Sequence, residues 1–289
     1  MVKPKKSNEI GMRRGKVLAN LSRTEQLDLI AEGLPILMKS AVDLLEASKA
    51  LDKHDRPATI LEGHAMEQVA KILILTDIVR CPPNLRSSRI GPMMRWFYDH
   101  LARNIYVEAQ HWKPMDVQQL QEYVNADRRS HFIEGEFGEY IFPNWTTWSR
   151  ESTLYADVVT NEDGQPTWNE PIATAPLSTN DPPAWQLCQA LSDFGAFTRQ
   201  GLEILSTVWS QTEFVDKHLW EEAQRLTHKM LSSLDEAGLI TSAARKDQLQ
   251  IHYHRWQLPM YDIDFGRIDV PLTELHDQQD AYFWSQVGY

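Results

Sequence analysis

With 289 residues, the chain has material for one large domain or two modest ones and for a sizeable buried core. Its composition, 42% hydrophobic and 24% charged with ten Trp, is that of a globular protein and excludes global disorder. A net charge of −11 excludes a protein that coats DNA by neutralising phosphates, and two isolated cysteines, Cys81 and Cys188, argue against a disulfide scaffold or a zinc ribbon.

The opening segment MVKPKKSNEIGMRRGKVLAN is basic but lacks the apolar run of a signal peptide, and the longest apolar stretch, Ala70 to Leu75, is far short of a bilayer span. A cytoplasmic protein without a membrane partner is the expectation. Charge is unevenly spread. The tail carries Lys3, Lys5, Lys6, Arg13, Arg14 and Lys16, and Arg80, Arg86, Arg89, Arg95 and Arg103 make a second positive stretch. Acids gather between Glu151 and Asp181 and from Asp262 to Asp280. Solvated faces explain most of this pattern, and a local anion-binding surface is compatible with it.

In chain order, residues 1–21 read as a basic tail and residues 22–132 as a helical domain. Ser22-Arg-Thr-Glu25 is a capping box, and the helix it starts should break or kink at Gly33 and Pro35. A second segment carries Leu37, Val42, Leu44, Leu45 and Leu51 on one side. Pro57 suits the first turn of the next helix, which must stop before Cys81-Pro82-Pro83. One helix is predicted from about Ser88 to His111 and another from Asp116 to about Phe132.

Residues 133–183 lose the helical period and read as an irregular insertion. Within it, Leu154 to Val159, Asp163-Gly164 and Pro166 to Trp168 spell a short β-hairpin. Residues 184–289 return to helices, at roughly 184–209, 212–236 and 241–256, before an irregular aromatic tail. The fold class is therefore mainly all-α.

Several residues have a chemical reading. Glu67 and Lys71 stand four apart and can pair along one face, with His64 on the same side. Arg95-Trp-Phe-Tyr-Asp-His100 is an Arg-x(4)-His spacing, although about one or two such matches arise by chance in a chain of this composition. On a regular helix Arg95 and His100 lie about 140° apart. They can serve one phosphate only at an irregular helix end or when two chains share a site. Trp96, Phe97 and Leu101 read as core. His252-Tyr-His254 places its imidazoles on different helix faces, and with no HExxH partner neither a metal nor another cofactor is expected. Cys188 reads as a small buried hydrophobe. A Ser-His-Asp hydrolase lacks its nucleophile elbow.

Three segments in order resemble one family. Ala41-Val-Asp-Leu-Leu-Glu46 with the helix ending Glu67-Gln-Val-Ala-Lys71 looks like the paired helices of AbiV-type abortive-infection proteins, whose second helix carries E-E-x-G-K. Phe97-Tyr-Asp-His100-Leu-Ala-Arg103 is similar to that family's F-x-D-H-x-x-K. Arg150-Glu-Ser-Thr-Leu-Tyr155-Ala-Asp157, with Trp168 and Pro171, is similar to its R-x-x-x-L-Y-V-D segment. The likeness spans roughly residues 24–175; Gln68, Ala70 and Arg103 depart from the pattern, and Trp96 replaces the polar residue that follows the Arg in nuclease members.

This resemblance implies a HEPN-like helical bundle that homodimerises, and an anti-phage role in which host growth or translation stops. It further implies a metal-independent endoribonuclease, with Arg95 on the scissile phosphate and His100 as general base or acid on the ribose 2′-OH or leaving oxygen. Asp99 or Glu67 would orient His100, Lys71 or Arg103 would add positive charge, and His64 would flank the substrate. RNA and an activating phage protein are the partners implied. The alternative is a non-catalytic helical interaction protein that binds a phage protein or the translation machinery.

Overall fold

Ser22 starts the first helix as the capping box requires: its hydroxyl accepts from Glu25 N, and the Glu25 carboxylate accepts from Ser22 N at 2.8 Å. The computed structural model describes residues 15–52, 55–136, 138–160, 164–172, 181–215, 217 and 219–287, so most of the basic tail lies outside the described residues. Helix α1 (Arg23–Lys49) runs past Gly33 and Pro35 without the expected break. An interior proline costs roughly 3 kcal/mol and frees the carbonyl one turn back. Pro35 faces solvent, whereas Leu27, Ile30, Leu34 and Leu45 are buried, and each contributes roughly 1.5–3 kcal/mol. Burial wins.

Helix α2 (Arg56–Arg80) begins with Pro57 in its first turn and stops at Cys81, before Pro82, as predicted. It is the central strut. Val69, Ala70, Ile72, Ile74 and Ile78 are fully buried, and α1 packs along it.

The helix expected from Ser88 to His111 is two helices, α3 (Arg86–Trp96) and α4 (His100–Glu108). α3 passes over Gly91-Pro92, and the irregularity comes at Phe97–Asp99. Asp99 has an extended backbone, and its Oδ1 accepts from Ala102 N at 2.8 Å, which caps α4. A short polar side chain favours such a cap over a helix interior. Hydrophobic periodicity continues across the break and so conceals it. Trp96, Phe97 and Leu101 are half-buried against the core. Helix α5 (Val117–Asp127) is capped by Asp116 and ends short of Phe132.

Residues 133–183 are more regular than their sequence predicted. Strands β1 (His131–Glu134) and β2 (Tyr140–Pro143) form an antiparallel hairpin in register Phe132↔Phe142. Helix α6 (Trp145–Leu154) follows, capped by Asn144, whose amide also donates to the carbonyls of Asp127 (2.7 Å) and Arg129 (2.8 Å). Arg56 donates to the carbonyls of Thr153 (2.7 Å) and Leu154 (2.8 Å) and so holds the other end of α6 against the start of α2. The anticipated hairpin is present as β3 (Asp157–Thr160) and β4 (Pro166–Asn169), pairing Val158 with Trp168. It starts later than expected because Leu154 belongs to α6. Of its turn, Asp163 lies outside the described residues, and Gly164 has φ +73°.

The predicted 184–209 helix is also divided, into α7 (Pro183–Asp193) and α8 (Arg199–Trp209). Gly195, at φ +78°, turns the chain where any Cβ would strike the Leu239 carbonyl, and Thr198 caps α8. Helix α9 (Trp220–Glu236) starts later than residue 212, and α10 (Lys246–Arg255) completes the group. The segment from Trp256 to Phe265 has no regular structure, yet Trp256, Leu258, Met260, Tyr261, Ile263 and Phe265 are buried. Instead of an irregular tail, helix α11 (Leu272–Val287) follows. Among the described residues no helix is long and apolar enough to cross a membrane. The fold is mainly all-α, with two small two-stranded sheets.

Candidate functional site

Helix α2 faces the core on most sides, so a carboxylate along it is buried wherever α4 or α6 covers it. Glu67 is such a residue, with 5% of its surface exposed. An isolated carboxylate there is strongly disfavoured. Three partners offset this. His100 Nδ1 lies 2.8 Å from Glu67 Oε1, Arg103 Nη1 lies 2.9 Å from Oε2, and Arg150 Nε donates to Oε1 at 3.0 Å. Burial, the largest single influence, pushes the Glu67 carboxyl upward. The His100 hydrogen bond, the Arg103 charge and the Arg150 hydrogen bond together hold it below the usual carboxylate range.

The break at Phe97–Asp99 makes the arrangement possible. By ending α3 and restarting at His100, it places His100 in the first turn of α4 and Arg103 one turn later, both toward α2. Arg103 Nε also donates to the Asp99 carbonyl at 3.1 Å, so the turn that presents His100 is fixed from both sides.

His100 Nδ1 has a second neighbour, Arg103 Nη2 at 2.8 Å. Arginine can only donate, and carboxylate can only accept. When Nδ1 carries no proton it accepts from Arg103, and when it carries one it donates to Glu67. In the neutral Nδ1–H form, Nε2 keeps a lone pair. Half of the His100 side chain is exposed, and Nε2 has no protein partner among the described residues. The pair is thus built to orient an imidazole with its far nitrogen free for proton transfer. At the Glu67 cluster itself two guanidiniums meet one carboxylate.

The other expected residues are distributed as follows. Arg95 is exposed, lies 5.5 Å from the Trp96 ring and lines a cavity of about 580 Å³ with Gly15, Lys16, Tyr98 and Asp99. The cavity lining includes neither His100 nor Glu67. The Asp99 carboxylate is used as the α4 cap, and the carboxylate that orients His100 is that of Glu67. Lys71 approaches Gln68 Oε1 (3.4 Å) and sits over the Phe97 ring (5.5 Å), while the Glu67 carboxylate meets cations from α4 and α6. His64 lines a second cavity together with Glu67 and Arg150.

Arg150 is the residue that sequence reasoning left without a role. Its partner is 83 positions away, and no local pattern announces such a pairing. The signal available was its place at the head of the third similar segment. Glu67 belongs to the first of those segments, His100 and Arg103 to the second and Arg150 to the third, and the last three meet at the Glu67 carboxylate.

His252 and His254 diverge as their spacing requires: His252 is buried against Phe194, and His254 reaches outward to Gln250. Among the described residues no group of three His, Cys, Asp or Glu could hold a metal ion. Cys188 is buried, and burial pushes its thiol well above the usual range. No family model, no curated protein and no solved structure matches this chain.

Proposed function

We propose that this protein is an abortive-infection, anti-phage factor of the AbiV type, HEPN-like in architecture, that cleaves RNA without a metal. The observation that carries the reading is the convergence on Glu67 of His100, Arg103 and Arg150, with His100 half-exposed and its Nδ1 already engaged. Glu67 holds the imidazole. His100 Nε2 takes the proton of a ribose 2′-OH as that oxygen attacks the adjacent phosphorus; the P–O5′ bond breaks, and the departing 5′-oxygen takes a proton from water. The product ends in a cyclic phosphate. The 2′-OH is an intramolecular nucleophile, so no metal is needed to generate one. Arg103 and Arg150 keep Glu67 ionised. Arg95 reaches the same phosphate across a homodimer, since its own chain directs it to another cavity.

A second reading, a non-catalytic interaction protein that binds a phage protein or the translation machinery, is favoured by that separation of Arg95 from His100. The test compares wild type with His100→Ala in a bacterial host challenged with phage, reading RNA integrity and plaque formation. Cleaved RNA and protection in the wild type alone support the nuclease. Equal protection with intact RNA in both supports the interaction protein.

A further inference from the structure

The cavity bounded by α2, α4, α5, β1 and α6 has a volume of about 960 Å³, which is the size of a small-molecule site. We propose that it binds a small organic cation with an extended apolar body, an alkylammonium or alkylguanidinium of the polyamine type. The inference does not depend on the ribonuclease reading.

The walls are aromatic. Trp112, Phe132 and Trp145 come from three different elements and line one space, and Trp145 leaves 59% of its surface open. Aromatic faces attract cations through the ring quadrupole and cover methylene groups at the same time. Carboxylates line the same space. Glu108 is the last residue of α4, and Asp127 is the last residue of α5.

A helix C-terminus carries partial negative charge and favours a cation, so a carboxylate there opposes the local field. Asp127 ends α5 this way, Glu108 faces the same cavity where α4 tightens into a 3-10 turn at Ala109–His111, and among the described residues no Lys or Arg pairs with either carboxylate. Burial, and then the charge of Glu108, raises the Asp127 carboxyl to about 6. Arg150, the one arginine in the lining, is engaged by Glu67. What the space lacks is a positive charge with an apolar stem. A phosphate would meet two carboxylates of like charge. A metal ion would leave the aromatic walls unused.

The test titrates the full-length protein at about pH 8, where Asp127 is ionised, with spermidine, with agmatine and with a neutral diol of similar length. Saturable one-to-one binding of spermidine or agmatine, with none of the diol, is expected, and the two cations separate ammonium from guanidinium recognition. Trp145→Ala and Asp127→Asn are expected to weaken binding by about tenfold each, whereas Glu236→Gln on the remote helix α9 leaves it unchanged. Unaltered melting temperatures in the variants establish that they fold. Failure of both cations to saturate, or equal binding by all variants, overturns the proposal. Loss of RNA cleavage in His100→Ala bears only on the ribonuclease reading and leaves this one standing.

Discussion

Helix α2 carries two buried carboxylates ten positions apart, Glu67 and Asp77, and the protein treats them in opposite ways. Asp77 is closed in. Arg80 Nε donates to its Oδ1 at 2.7 Å, Met260 N donates to Oδ2 at 3.0 Å, and the Tyr106 hydroxyl donates to the same oxygen. Arg80 is itself clamped between the rings of Trp209 (4.6 Å) and Trp256 (4.5 Å), and its Nη1 donates to the Gln257 carbonyl at 3.1 Å. Every group in that network is buried. The Glu67 cluster has two arginines, Arg103 and Arg150, but its third partner, His100, is half-exposed. A charge pair that only needed to stabilise the fold would be satisfied as Asp77 is. Leaving a titratable ring at the surface adds little stability and provides a proton carrier. The difference separates a polar core from a candidate site.

The largest effect should come from the closed pair. Asp77→Ala leaves Arg80 buried without its counter-ion and strips Met260 N of its acceptor, so a loss of about 3–5 kcal/mol is expected. Chemical denaturation measures it. A loss near that of a surface substitution would remove the contrast between the two carboxylates.

His252 sharpens the comparison with a group that is buried but half-satisfied. Its Nδ1 meets the Gln248 carbonyl at 2.8 Å, while Nε2 is buried without a partner. Burial lowers its pKa from 6.5 to about 4. The neutral ring is therefore favoured in the folded state, and the unfolded chain takes up a proton first as pH falls. Stability is full above 6.5 and declines toward 4, by at most about 3 kcal/mol. Unfolding free energies across this window should flatten in His252→Leu.

Next in size is Glu67→Gln, which leaves Arg103 and Arg150 facing each other without a carboxylate. A loss of about 1–3 kcal/mol is expected, together with loss of RNA cleavage. Because the folded-state pKa of Glu67 is depressed, its contribution is present above the ordinary carboxylate range and is lost as pH falls through it. Stability profiles of wild type and Glu67→Gln should converge at acid pH.

Much of this was legible in the chain, for identifiable reasons. Ser22, Pro57 and Pro82 mark helix ends through local chemistry, and the structure follows them. Pro35 misleads because a buried apolar stripe outweighs its local cost. Asp99 could have been read as a cap, but periodicity on both sides argued for continuity. The segment from Trp256 to Phe265 could not be read as core from its own residues. Its burial depends on groups far away in sequence, such as Asp77 for Met260 and Gln110 for Gln257. The site divides similarly. Glu67, His100 and Arg103 were expected to matter. The role of Arg150 becomes visible only when α6 is folded against α2, and the presence of α6 itself was not anticipated.

The smallest stability change is expected where the functional change is largest, at His100. Purified wild type and His100→Ala should be compared in one experiment that records both unfolding free energy and cleavage of RNA in the presence of a chelator. Removal of His100 takes one of three partners from the buried Glu67 carboxylate, so a stability loss of about 0.5–1.5 kcal/mol is expected. The wild type should yield fragments ending in cyclic phosphate, and the variant should yield none. Equal cleavage by both proteins, or intact RNA with both, would contradict the claim that Glu67 holds His100 for catalysis.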